Sequence, residues 1–257
     1  TRVNHKPTMP AYREIDEKTA LKMDGNREKE DLAEPLPKWS KNDLKDVVLY
    51  GAKISPPAAK MRIILAHYGV RHRTVNGKKP NSSYTKIPVL DINDRQINDS
   101  HIMVKNLAPV LDGKSLTPEL IETEAFFTYK VMLSLEADTM ESCGDLCGCG
   151  RLLGGCFGCL LSCFSCCLCC YLHGKLRKSK NLLSTEEYGV ALGGKLNGKR
   201  FFHGEEMGIV DVSIFGGIKA FEEAGNSSFQ TLMDSSPELK AWFESMQKSV
   251  SETVKDF

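Results

Sequence analysis

The sequence predicts a small α/β domain followed by a larger all-α domain, with a polar arm in front of both. Three observations lead to this division. Apolar runs of strand type surround one amphipathic helix within residues 47–113. From residue 114 to residue 257 the apolar residues recur at helical spacing. Residues 1–46 are polar, charged and rich in proline, which favours an extended arm over a folded domain.

Composition restricts the class of protein. The chain has 257 residues and a formal net charge of +1, which gives no electrostatic case for binding nucleic acid. All ten cysteines lie between Cys143 and Cys170. A secreted disulfide scaffold would spread its cysteines along the chain, so this clustering indicates reduced thiols in an intracellular compartment. Because the chain begins with Thr1 and not with Met, we expect that a leader has been removed.

The α/β domain begins with a short apolar strand at residues 47–50. Pro56 and Pro57 then open a helix, because proline is tolerated in the first helical turn. The helix runs to Tyr68 and has an apolar face of Met61, Ile64 and Leu65.

The rest of this domain is predicted from its turns and caps. A strand follows at residues 71–75, and residues 89–92 and 95–98 form a hairpin around Asn93-Asp94. Ser100 is then predicted to cap a helix that ends near Leu111.

The second half is predicted to be helical throughout. Pro118 marks a first turn, and Asp211 is placed to accept backbone hydrogen bonds at the start of another helix, a structural role. The predicted helices cover residues 118–138, 147–173, 184–196, 208–225 and 237–250.

In its order of elements and several motifs, the sequence resembles the glutathione transferases, and most of all the membrane-associated prostaglandin E synthase type 2 group. The resemblance spans about residues 47–250 and rests on Leu49-Tyr50, Lys60-x-Arg62, Ser83-Tyr84-x-Lys86-Ile87-Pro88-Val89-Leu90, Asn98-Asp99-Ser100, Lys175-Leu176-Arg177-Lys178-Ser179, Asp211–Gly216 and Trp242. It implies a thioredoxin-like N-terminal domain joined to an all-α, transferase-like domain. It also implies glutathione as a ligand, haem as a second cofactor, and an organellar, membrane-associated location such as the mitochondrion.

The sequence departs from this group at three places. The group's active-site loop carries Cys-Pro-x-Cys, where this chain has Ser55, Pro56, Pro57 and Ala58. The capping box of the transferases begins with Ser or Thr, and here that position is Gly208. A helix that is mostly alanine and glycine in the group is filled with cysteine in this chain.

Two hydroxyl groups are candidates for catalysis. Ser55 replaces the thiol that the N-terminus of the first helix would stabilise. It either donates a hydrogen bond to a bound thiolate or simply caps the helix. Tyr50, at the end of the first strand, is the second candidate.

The candidate glutathione-binding residues follow the group's pattern. The Ile87–Pro88 bond is predicted to be cis, which would present the Ile87 backbone to an extended peptide. Asp99 and Ser100 open a helix whose N–H groups and hydroxyl can hold a carboxylate. The structural alternatives are that Pro88 is only part of the fold and that Asp99-Ser100 is an ordinary helix cap.

The cysteine-rich segment allows three interpretations. Cys149, Cys156, Cys163 and Cys170 are seven residues apart, which favours a packed helical stripe. A metal site is the second interpretation, although we expect none. Membrane contact from Leu152 to Leu172 is the third, since this stretch carries no charge and has the length of a bilayer span.

Two functional classes therefore stay open. In the first, the protein is a degenerate, non-catalytic accessory or scaffold subunit of an organellar, membrane-associated complex, and other subunits bind residues 1–46 and the helical domain. In the second, it is a glutathione-dependent isomerase or transferase that uses Ser55 or Tyr50. Loss of both loop cysteines favours the first class.

Overall fold

The fold joins a four-stranded sheet to a bundle of helices. The computed structural model describes residues 39–53, 55–82, 84, 86–93, 95–141, 177–178 and 181–251. The helix predicted at residues 147–173 and residues 1–38 of the predicted arm lie outside the described residues.

The sheet has the strand order β2-β1-β3-β4. Its strands are β1 (Val47–Tyr50), β2 (His72–Val75), β3 (Val89–Ile92) and β4 (Arg95–Asn98). Strands β1 and β2 are parallel because helix α1 (Pro56–His67) carries the chain back across the sheet between them, whereas β3 pairs antiparallel with both of its neighbours. The predicted hairpin is therefore confirmed.

The two faces of the sheet present different side chains. Leu49, Leu90 and Ile97 are paired across three strands, and all three are fully buried in the core that α1 covers. Successive side chains of a strand point to opposite faces. The neighbouring residues Tyr50 and Asn98 therefore belong to the other face.

The end of the predicted arm packs against the hairpin. Trp39 is partly buried, and the guanidinium of Arg95 lies 5.7 Å from the centroid of its ring. Asn93, whose backbone has a positive φ, accepts a hydrogen bond from the Lys45 amide at 2.8 Å and donates one to the Asp43 carbonyl at 2.8 Å. Residues 39–46 are thus tied to the first domain.

The remaining described elements are helical. They are a 3₁₀-helical turn (Lys41–Asp43), α2 (Ser100–Leu111), α3 (Pro118–Phe126), a π-helical turn (Phe127–Val131), α4 (Met132–Glu141), α5 (Thr185–Leu196), α6 (Ile209–Glu223), α7 (Ser227–Asp234) and α8 (Pro237–Ser251). Helix α7 was not predicted, because it is short and mostly polar. Asn226 caps it by accepting from the Ser228 amide at 2.8 Å, and Leu232 and Met233 bury its inner face.

The two domains meet where α1 packs against α6. Glycines allow the close approach: a Cβ atom added to Gly216 would lie 3.1 Å from Lys60 Cα and from Ile63 Cβ. A Cβ on Gly217 would lie 2.6 Å from two ring carbons of Phe127. These contacts explain why the helix needs small residues at this point.

Asp211 organises the start of α6 from a fully buried position. Its carboxylate accepts hydrogen bonds from the amides of Phe202 and Gly208, from the Trp242 indole, and pairs with the His203 ring at 2.8 Å. Gly208 has no side chain to cap the helix. Instead, Asp112 of the first domain accepts from the Ile209 amide at 2.9 Å and so satisfies one of the free N–H groups.

Candidate functional site

The loop between β1 and α1 is held in place from within the first domain. The Arg62 guanidinium donates to the carbonyl oxygen of Lys53 at 2.6 Å and to that of Ala52 at 3.4 Å. Gly51 lies so close to the helix that a Cβ there would be 2.6 Å from the Cβ of Ala58. The start of the loop therefore packs closely against the first helical turn, and a side chain larger than glycine has no room at position 51.

Ser55 occupies the N-cap position of α1, but its hydroxyl makes no capping hydrogen bond. The predicted position of Ser55 at the helix start is therefore confirmed, whereas a capping bond from its side chain is not formed. The reason is visible in the sequence: an N-cap side chain bonds to the N–H of the second or third helical residue, and the second is Pro57. The hydroxyl remains available to a ligand.

The same prolines weaken this helix end as an anion site. Free N–H groups in the first turn are what attract an anion to a helix N-terminus. Pro56 and Pro57 have none, and the Ala59 amide already donates to the Ser55 carbonyl at 2.8 Å. Stabilisation of a thiolate at this end is therefore weaker than in a helix with a full set of donors.

Tyr50 lies on the sheet face opposite to α1. Lys79 Nζ is 6.0 Å from the centroid of the Tyr50 ring, and Lys79 also forms a 2.7 Å ion pair with Asp91 on the adjacent strand. The structure therefore places the two hydroxyl candidates in different settings, with Ser55 at the helix start and Tyr50 beside a surface ion pair.

The Ile87–Pro88 peptide bond is cis, as the sequence predicted. Pro88 is buried and directly precedes β3, while Ile87 is partly exposed. A chain entering β3 in this way can present the Ile87 backbone to an extended peptide lying along it.

Asp99 connects β4 to α2 with a positive φ of 65°. Such a backbone is unusual for a residue other than glycine, although Asn and Asp tolerate it better than most, and strained residues of this kind cluster at functional sites. Its Oδ1 atom accepts from the amides of His101 at 2.8 Å and Ile102 at 3.4 Å. Tyr129 of the helical domain donates its hydroxyl to the same oxygen at 3.0 Å. Oδ2 takes part in none of these bonds, and the next residue, Ser100, is buried.

The Asp99 carboxylate thus serves as the helix cap, which was the structural alternative, and Ser100, which was predicted to cap the helix, is its first residue. Its free Oδ2 also leaves it able to accept from a ligand. Burial raises the pKa of Asp99, and the nearby positive charge of His101 opposes that rise.

A buried charge cluster that sequence reasoning missed lies between the domains. Lys60, from α1, forms a 2.6 Å ion pair with Glu124, from α3, and both side chains are fully buried. Lys60 also donates to Thr128 at 2.8 Å, while Ser213 donates to Glu124 at 3.0 Å. The ring of His101 pairs with the second oxygen of Glu124.

These contacts hold Glu124 in its charged form. Burial alone would raise the pKa of Glu124, but the charges of Lys60 and His101 outweigh burial and keep that pKa well below its usual range. The available signal in the sequence was Lys60 on the otherwise apolar face of a helix. Its partner, 64 positions further along the chain, could not be deduced from one sequence.

Comparison with known protein families and solved structures identifies the fold. Residues 49–109 match the family model of the glutathione S-transferase N-terminal domain. The protein has the glutathione S-transferase fold. Comparison with curated protein sequences found no match.

Solved structures similar to this fold include three glutathione transferases. Glutathione S-transferase III in its apo form is 15% identical, has a TM-score of 0.56, and the match covers 82% of this chain and 96% of that one. A Phanerochaete chrysosporium transferase in complex with oxidized glutathione is 13% identical, with a TM-score of 0.56 and the same coverage of both chains. A Methylobacillus flagellatus transferase with glutathione bound is 17% identical, with a TM-score of 0.52, and the match covers 81% and 99%.

The described residues give little support for a metal site, a membrane-spanning helix or a haem ligand. They contain no cluster of His, Cys, Asp and Glu suited to a metal ion, and no helix in them is long and apolar enough to cross a membrane. The cysteine stripe and the stretch from Leu152 to Leu172 lie outside them. His101, which follows the candidate site in the chain, is fully buried with its Nδ1 against Glu124, so it does not fit an axial haem ligand.

Proposed function

We propose that this protein binds glutathione, does no thiol–disulfide chemistry, and acts as a non-catalytic accessory subunit. One observation carries the proposal. The peptide-binding frame of the fold is kept, with cis-Pro88 and a positive-φ Asp99 before Ser100, while the reactive loop has Ser55 and Ala58 where the related group has cysteines.

The chemistry of the loop supports the absence of disulfide exchange. Exchange begins with attack of a thiolate on a disulfide sulfur. A serine hydroxyl cannot form the mixed disulfide that follows, and the fully buried methyl group of Ala58 cannot resolve one. Because Pro56 and Pro57 have no N–H groups, the first helical turn would also stabilise a thiolate less than a turn with all its donors.

The frame, in contrast, suits a bound peptide. The backbone beside Pro88 can pair with the central part of an extended peptide, and the start of α2 can hold its γ-glutamyl end. Solved relatives of this fold have glutathione or oxidized glutathione bound, which is a property of those proteins and a reason to test it here.

Two measurements on the full chain test the proposal together. Isothermal titration calorimetry should detect glutathione binding, and a coupled assay should detect no glutathione-dependent disulfide reduction. Asp99→Ala should weaken binding by about 1.5–3 kcal/mol, because it removes a charged contact. Absence of binding in the parent protein refutes the ligand, and robust turnover refutes the non-catalytic role.

A second candidate function is a glutathione-dependent transferase or isomerase of the prostaglandin E synthase type 2 kind. The uncapped hydroxyl of Ser55 favours it, since a free donor at this helix end could bond a glutathione thiolate. Conjugation of glutathione to a chlorinated dinitrobenzene, abolished by Ser55→Ala and retained in Tyr50→Phe, would establish this candidate over the first.

The cellular setting that we propose rests on the sequence resemblance. We infer that the protein belongs to a membrane-associated complex of an organelle such as the mitochondrion, and that other subunits bind residues 1–46 and the helical domain. Native mass spectrometry of the protein isolated from its own cells tests this, since a free monomer there would contradict an accessory role.

A further inference from the structure

The π-helical turn at Phe127–Val131 changes which side chains face the first domain. Its Met132 amide donates to the Phe127 carbonyl, five residues back, where an α-helix would bond four residues back. One extra residue in the turn brings positions 124 and 129 towards the same side of the helix. Turns of this kind occur frequently at functional sites.

The contacts follow from that geometry. Thr128, in the turn, bonds Lys60 and Glu124 in the buried charge cluster. Tyr129, the next residue, reaches Asp99 at 3.0 Å, and its ring meets the His101 ring edge-on with 5.5 Å between centroids. Tyr129 is 6% exposed, so its hydroxyl is fixed by packing as well as by the hydrogen bond.

The hydroxyl of Tyr129 bonds one oxygen of Asp99 and leaves the other outside these contacts. An aspartate held in this way has a fixed orientation, with Oδ1 turned to the protein and Oδ2 available to a donor. The complementary group on a γ-glutamyl peptide is its α-ammonium, which forms a charge-assisted hydrogen bond with a carboxylate.

We propose that Tyr129 is a positioning residue, through which the helical domain sets Asp99 to select ligands that carry a free α-ammonium group. This inference rests on the proposed function, because it assumes that the ligand is glutathione. It makes the π-helical turn, and not only the thioredoxin-like domain, part of the specificity of the site.

The test compares two ligands and two variants of the full chain. The ligands are glutathione and N-acetylglutathione, in which an amide replaces the ammonium. The test variant is Tyr129→Phe. The matched control is Tyr188→Phe, which removes the hydroxyl of another buried helical-domain tyrosine, one that accepts from the Leu183 amide at 3.2 Å and also makes an edge-on ring contact.

We expect the parent protein and Tyr188→Phe to bind glutathione about tenfold more tightly than N-acetylglutathione, which corresponds to about 1.4 kcal/mol. In Tyr129→Phe that ratio should fall to about threefold or less, because Asp99 is no longer oriented. If Tyr129 had a purely structural role, Tyr129→Phe would lower the melting temperature and weaken the binding of both ligands by the same factor.

Three other outcomes are possible, and each contradicts a different part of the proposal. An unchanged ratio in Tyr129→Phe removes Tyr129 from the specificity of the site and leaves glutathione binding intact. Equal binding of the two ligands by the parent protein shows that no ammonium is recognised at Asp99. No binding of glutathione by the parent protein refutes the proposed function, and this inference with it.

Discussion

Replacing Lys60 by methionine tests whether the buried charge cluster holds the two domains together. Methionine keeps most of the length of the side chain and removes its charge. The change leaves Glu124 fully buried without the partner that now lies 2.6 Å away, and it also removes the bond to Thr128. Breaking a buried pair in this way destabilises proteins by about 3–5 kcal/mol.

The measurement is urea unfolding followed by tryptophan fluorescence, with Lys195→Met as the control. Lys195 pairs with Glu122 at 3.4 Å, but both side chains are partly exposed. Loss of such a pair should cost about 1 kcal/mol or less. Adding Glu124→Gln to Lys60→Met should recover part of the loss, because the uncompensated charge disappears.

The pH dependence supplies an independent check with a definite sign. Without Lys60, burial dominates and the pKa of Glu124 rises above its unfolded value. A carboxyl with a raised pKa stabilises the folded state at low pH, and this stabilisation is lost as the pH rises through the raised pKa. The cost of Lys60→Met should therefore be smaller at pH 5 than at pH 8.

Two results would refute this reasoning. If Lys60→Met costs no more than Lys195→Met, then His101 alone compensates Glu124. If the cost is large but independent of pH, and Glu124→Gln recovers none of it, the loss comes from packing and not from charge.

Three further predictions concern other positions. Gly217→Ala should destabilise the protein by about 1–3 kcal/mol in the same unfolding assay, because its methyl group would overlap the Phe127 ring, and an unchanged midpoint would show that the ring moves freely. Asp112→Ala should cost about 0.5–2 kcal/mol, as for loss of a helix cap, whereas Asp112→Asn should retain much of the stability by keeping an acceptor for the Ile209 amide. Ser55→Cys should introduce a thiol with a pKa near the ordinary value of about 8.5, because Pro56 and Pro57 supply no N–H groups to stabilise a thiolate. The pH dependence of its alkylation, followed by peptide mapping, measures this pKa, and a value below about 7 would contradict the prediction.

Local chemistry decided which parts of the fold could be predicted from the sequence. The hairpin strands match their predicted residues because Asn93-Asp94 is a turn pair that follows the mostly apolar run Val89–Ile92. The cis bond at Pro88 followed from the family pattern. Helix α7 was missed because eight residues give too few repeats for a helical period to be recognised.

The candidate site was less predictable, for two physical reasons. The partners of Lys60 and Asp99 come from the helical domain, and one sequence contains no record of which distant residues meet. The two roles considered for Ser55 could have been separated by a local signal that the sequence did contain. Serine is a favoured cap, but Pro57 removes one of the two N–H groups that a cap would use.

The carboxylate of Asp112 has a consequence for the modularity of the chain. This residue ends a helix of the first domain, yet it bonds the backbone amide that begins α6 in the second. The helical half expressed alone would keep the Asp211 acceptor for its Gly208 amide but lose the Asp112 acceptor for its Ile209 amide, and it would expose the face built around Glu124. The two halves are therefore not interchangeable parts: a chimaera with a glutathione transferase of the same fold would need to transplant Asp112 and Lys60 together with the helices that they contact.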